Sequence, residues 1–183
     1  MKVPQLQVMM ENARAFHDIS IKAVESYKKL GDEDTLQHNS LLVVSATNMM
    51  FSIELIFKAF LLFTTGKFES GHKIYDLYLK LPEQVKNELI LAYEGLRELA
   101  PVKVKPWALF TTMDGKEPAK KVYERYSPKL IAMLKVHDEG FVRWRYSFEI
   151  QQNPVLIFDF YNMRLLFLAI ESVISKEMSK YLH

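Results

Sequence analysis

LLVVSATNMMFSIELIFKAFLLF, residues 41–63, is the stretch on which the reading of the chain turns. About 20 consecutive apolar residues suffice to cross a bilayer. The run is therefore either a membrane span or the buried axis of a water-soluble bundle. Asn48, Glu54 and Lys58 lie inside it. Each charge at the centre of a spanning helix costs about 2.5–3.5 kcal/mol on insertion scales. Glu54 and Lys58 are four residues apart, so a helix places them on one face, where they can pair. A helix buried nearly all round inside a soluble bundle accounts for the run better than a span does, and no membrane partner is expected.

Working outward, Pro4 to Leu30 reads as an amphipathic helix. Leu6, Met10, Ala13, Phe16, Ala23, Tyr27 and Leu30 recur at three- and four-residue steps, with Glu11, Arg14, Asp18, Lys22, Glu25 and Lys28 filling the other side. Gly31 ends it. The central helix is expected from about Thr35 to Thr65, stopped by Gly66. A short third helix starts near His72, and Pro82 and Glu83 open a fourth that runs to Ala100. Pro101 to Lys116 is the least helical part, with two prolines, Gly115 and the β-leaning run WALFTT; connections this long are usually functional or mobile. Pro118 opens a helix to about His137, bent at Pro128 and broken by Gly140. FVRWRYSFEI, residues 141–150, has no helical stripe and reads as alternating, with Val142, Trp144 and Tyr146 on one face. Asn153 and Pro154 cap and open the last helix, to about Leu182. The expectation is one all-α domain over residues 1–183, an up-down bundle of five or six helices.

Composition narrows the chemistry. The 183 residues include no cysteine, which excludes disulfides, thiol nucleophiles and cysteine-ligated metals. Lys and Arg total 24 against 22 Asp and Glu; residues 101–183 carry 13 basic against 9 acidic groups, and most of that excess lies between Lys103 and Arg145. That stretch is either a solvated basic face or a phosphate-facing patch. There is no GxSxG, GxGxxG or phosphate-binding loop; Thr65-Gly66-Lys67 lacks the upstream glycine. Glu69-Ser70-Gly71-His72 has the Glu-x-x-His spacing of di-iron bundles, but no second copy. No metal or cofactor is expected. The N-terminus has no apolar signal core, so the expected location is cytoplasmic.

Three polar features remain. Glu54 and Lys58 sit on an apolar helix and need partners, either in a structural network or at a cleft. His72 stands at a helix start, as a packing residue or a titrating one. Arg143-Trp144-Arg145-Tyr146, with Glu149 nearby, suits phosphate contact with base stacking. The same residues equally suit an internal ion pair of Arg145 with Glu54 or Glu149 behind a packed tryptophan.

The string SATNMMFSIELIFKAFLLFTTGKFESGHKIYDLYLKL resembles the second and third helices of the HEPN superfamily. Members show an apolar helix with an Ala/Ser-x-Glu-x-x-x-Lys-Ala-x-Leu core, then a glycine-containing loop, then Gly-His-x-Leu. The matching positions are Ser52 to Leu61, with Glu54 and Lys58, then Gly71, His72 and Leu77. Trp144-Arg145-Tyr146 is similar to an Arg-Tyr element that follows the fourth helix in such proteins. The resemblance implies an all-α bundle that commonly dimerises. It further implies a metal-independent ribonuclease of toxin–antitoxin or antiphage systems, a partner of minimal nucleotidyltransferases, or an RNA-binding or scaffolding module. The nuclease subset uses Arg-x(4–6)-His, and this chain departs from it. Lys67 and His72, and Lys176 and His183, have the spacing with lysine in place of arginine, and His137 and Arg143 run in the opposite order. The resulting expectation is a non-catalytic, dimeric interaction module linked to RNA or nucleotide stress and defence systems. The alternatives are a divergent ribonuclease using His72 or His137 with Arg143 and Arg145, and a small-molecule-binding bundle lined by aromatic residues.

Overall fold

Burial of one long helix organises the molecule. The computed structural model describes residues 3–30, 35–99, 106–110, 126–147 and 155–180. Among them are seven helices: α1 (Val3–Lys29), α2 (Thr35–Thr65), α3 (Ile74–Leu79), α4 (Glu83–Leu99), α5 (Leu130–Val136), α6 (Gly140–Arg145) and α7 (Phe160–Ser179). Two short strands, β1 (Trp107–Phe110) and β2 (Val155–Phe158), complete the described elements. The protein is an all-α bundle with one small antiparallel ribbon, in which Trp107 faces Phe158 and Phe110 faces Val155.

α2 packs against α1, α3, α6 and α7. Met49, Met50, Ile53, Ile56, Phe57, Ala59, Phe60 and Leu61 are consequently fully buried on several sides of it. The helix is long and apolar enough to cross a membrane, yet 56% of its most apolar stretch is buried within the protein. α1 lies along α2 as a hairpin arm, with Leu6, Met10, Ala13, Ala23 and Val24 buried. His17 and Ser20 continue that buried stripe. The Ser20 hydroxyl donates to the Ser45 carbonyl at 2.8 Å, and the His17 ring stacks on Phe167 at 4.3 Å.

Three segments fold differently from their sequence pattern. Residues 126–129, expected inside a helix bent at Pro128, are not helical, and α5 starts only at Leu130. Residues 141–145, read above as alternating, lie in α6. Gly140 and Trp144 are four apart and both buried, which is the short face of a helix. A Cβ on Gly140 would meet the Met50 side chain at 2.5–2.9 Å, so glycine sets how closely α6 approaches α2. The last helix begins at Phe160, not at Pro154, because VLIF pairs with WALF instead of continuing as helix. Asp159 caps α7 by accepting the Asn162 amide at 3.1 Å. The expected start of the Pro118 helix, the Asn153-Pro154 cap, Gly31 and most of the Pro101–Lys116 connection lie outside the described residues.

A second buried polar network holds the β2–α7 junction. His137 Nδ1 donates to the Met133 carbonyl at 2.9 Å, and His137 Nε2 accepts the Asp159 amide at 3.2 Å. The Tyr126 hydroxyl and the Asn162 side chain both donate to Asp159. That arrangement needs a neutral imidazole. Burial lowers the affinity of His137 for a second proton, and burial likewise lowers that of His17. Both groups lie below their ordinary value of 6.5 in the folded protein. Their contribution to stability is therefore complete above that value and is lost as pH falls through the folded-state values. Urea unfolding midpoints should decline from pH 7.5 to pH 5. His17→Phe keeps the stack on Phe167 and removes a buried Nε2 that has no hydrogen-bond partner among the described residues. It should raise stability by about 1 kcal/mol and flatten the acid decline.

Candidate functional site

The site is assembled by α2, the loop after it, α3 and the turn between α5 and α6. Gly66, with φ +71°, ends α2, and its amide bonds the Leu62 carbonyl at 2.9 Å. Gly71, with φ +97°, takes a backbone conformation that side-chain-bearing residues rarely adopt, and the chain turns there into His72. α3 is short and has no side-chain cap of its own at Lys73. Asp138 takes that role from a distance. Its carboxylate accepts the Tyr75 amide at 2.7 Å, and its carbonyl accepts the Ile74 amide at 3.1 Å. Lys73 and Glu139 pair at 3.1 Å across the same junction. Neither Asp138 nor Glu139 was singled out from the sequence; both stand beside Gly140 in what reads as an ordinary charged turn.

Glu54 is 1% exposed and has two partners. Lys58 Nζ donates to Oε1 at 2.7 Å, and His72 Nδ1 lies 3.0 Å from both carboxylate oxygens. An ionised carboxylate only accepts, so the proton of this contact resides on Nδ1. Nε2 is left to act as an acceptor in the neutral ring, or as a donor in the charged one. The side chain of His72 is 55% exposed, whereas Lys58 is 16% exposed. The cluster therefore grades from a dry carboxylate to a wet imidazole.

His72 borders a groove of about 690 Å³. Leu77, Leu79 and Val142 supply its apolar surface, and Lys73, Asp76, Lys80 and Glu139 its polar parts. Phe141, missed by sequence reasoning, stands between His72 and Arg145. Its ring is 5.9 Å from the His72 ring, and the Arg145 guanidinium lies over it at 5.1 Å.

The remaining candidates are placed differently. Arg145 makes no ion pair with a described residue. Its guanidinium covers the Tyr146 ring at 4.4 Å and donates to the Tyr146 hydroxyl. The expected pairing with Glu54 is thus replaced by stacking, because Lys58 and His72 already occupy that carboxylate. Trp144 is 2% exposed and packs edge-on to Phe158. Arg143 borders a separate recess of about 160 Å³ with His137 and Trp144. His38 packs against Tyr27. Glu69 pairs with Lys80. Glu149 and His183 lie outside the described residues. Among the described residues, no three His, Asp or Glu side chains come together as a metal site.

Comparison of the chain with protein-family models, curated proteins and solved structures finds no match.

Removing one partner from a buried ion pair costs about 3–5 kcal/mol, whereas replacing the pair with apolar side chains is often neutral. Lys58 retains some contact with water, so Glu54→Ala should cost about 2–3 kcal/mol in urea unfolding. The double variant Glu54→Leu, Lys58→Met should recover most of that loss. A single variant as stable as the parent would show that the carboxylate is not holding its neighbours.

Proposed function

We propose that the protein is a non-catalytic, HEPN-like helical interaction module that works as a homodimer or with a protein partner. The resemblance of residues 45–81 to HEPN helices supports this reading, as does the missing Arg-x(4–6)-His motif. Its setting would be cytoplasmic, in an RNA- or nucleotide-linked stress or defence system, with a nucleotidyltransferase or an RNA as a further partner.

The observation that carries the interaction reading is an uncovered apolar stripe on the α1–α2 hairpin. Val8 is 57% exposed, Ile19 44% and Val44 43%, with Ala15 also exposed. Val8, Ala15 and Ile19 fall at seven- and four-residue steps, hence on one face of α1. Val44 adds an exposed apolar residue on α2, next in sequence to Ser45, which bonds Ser20 across the hairpin. A long helix face of this kind suits pairing with a second copy. In light scattering coupled to gel filtration, the parent chain should run as a dimer, and Val8→Glu, Ile19→Glu as a folded monomer. A parent chain that is monomeric at tens of micromolar would contradict the dimer.

A metal-independent ribonuclease is the second reading, favoured by one feature. The His72 imidazole is oriented by a buried carboxylate and reaches an open groove, a geometry fit for proton transfer. Arg143 and Arg145 are the cations that would stabilise charge on phosphate in this scheme. Total RNA incubated with the protein in EDTA should remain intact on a denaturing gel under the first reading. Cleavage abolished by His72→Ala would establish the second.

A further inference from the structure

The groove beside His72 has a feature that the interaction reading does not use. Its volume of about 690 Å³ lies within the range of small-molecule pockets, roughly 300–1,000 Å³. Its apolar wall is split between two elements, Leu77 and Leu79 from α3 and Val142 from α6. Leu79 is 48% exposed and Val142 38% exposed, so the wall is open to an incoming ligand.

The lysines around it are already paired. Lys73 pairs with Glu139 at 3.1 Å, Lys80 pairs with Glu69, and beneath the groove Lys58 pairs with Glu54. Asp76 is the lining carboxylate that takes part in no ion pair with a described residue, and it opposes an anionic ligand. Each lysine lining the groove already has a carboxylate partner among the described residues. Ser70 and Asp76 add polar atoms to the lining, but the lining group that a buried partner holds in one orientation is His72. Glu54 occupies Nδ1 at 3.0 Å, which leaves Nε2 of the neutral ring as an acceptor with a fixed partner behind it.

From this combination of paired rim lysines, an unpaired Asp76, an apolar wall and one oriented acceptor, we propose that the groove binds an uncharged, mainly apolar small molecule that presents one hydrogen-bond donor to His72. The apolar body is desolvated against Leu77, Leu79 and Val142. The donor fixes its orientation at the imidazole. An anion of the same shape loses its hydration, meets Asp76, and must compete with Glu139 and Glu69 for Lys73 and Lys80.

Two dyes that differ by one charge test this directly. N-phenyl-1-naphthylamine is neutral, apolar and carries a single N–H; 8-anilinonaphthalene-1-sulfonate is the same body with a sulfonate. Titrated into the full chain and followed by fluorescence, the neutral dye should saturate at one site per chain and bind at least tenfold tighter than the sulfonate. His72→Phe should weaken the neutral dye about three- to tenfold, the loss of one neutral hydrogen bond. Val142→Glu, at a half-exposed position where the fold tolerates charge, should abolish saturable binding with an unchanged circular dichroism spectrum. The proposal is overturned by a neutral dye that does not saturate, by tighter binding of the sulfonate, by a Val142→Glu protein that binds as the parent does, or by a His72→Phe protein with undiminished affinity.

Discussion

A carboxylate with 1% of its surface exposed, in the middle of an apolar helix, is the constraint to which the surrounding structure answers. An ionised group in that position is tolerable only if its charge and its lone pairs are met. Lys58 meets the charge from one turn further along α2, and His72 meets the lone pairs from the loop that follows. The second contact requires that loop to return against α2, which it does through Gly71 in a left-handed conformation. Asp138 then anchors the start of α3, so the loop is held from both ends. The buried charge thereby becomes a device for positioning an exposed imidazole at a groove.

The same logic explains why α2 serves as the axis of a bundle. Its apolar residues occupy more than one face, so a single neighbour leaves much of its surface uncovered. Four helices pack against it among the described residues, and α6 approaches it closely where Gly140 meets Met50. That contact ties α6 to the axis, and with it Phe141, beside the His72 ring, and Val142, which lines the groove. The fold core and the candidate site therefore share their supports. A change that separates α6 from α2 alters both.

Long periodic segments were legible in the sequence. α1, α2 and α4 lie within a few residues of where apolar spacing and the Gly and Pro punctuation put them, since each spans several turns and exposes a consistent pattern. α6 was not legible because six residues hold fewer than two turns, and Val142, Trp144 and Tyr146 happen to alternate. β2 was not legible because VLIF acquires its partner from WALF, more than forty residues away, and looks by itself like the start of an apolar helix. In the site, the Glu54–Lys58 contact follows from four-residue spacing alone. The place of His72 beside Glu54 depends on a loop conformation that spacing does not encode. Of the two carboxylates expected for Arg145, Glu149 lies outside the described residues, and Glu54 is taken by Lys58 and His72; charge complementarity alone does not say which cation a carboxylate takes, and Arg145 rests on Phe141 and Tyr146.

The central claim is that Glu54 dictates the state of His72. Long-range nitrogen–proton correlation spectra of the histidine rings test it most directly, because they show which imidazole nitrogen carries the proton in the neutral ring. The account predicts that His72 is held as the Nδ1–H tautomer, with Nε2 unprotonated, and that replacing Glu54 by alanine releases it to a mixture. A parent protein in which His72 already shows the Nε2–H form, or an exchanging mixture, would contradict the account at its base.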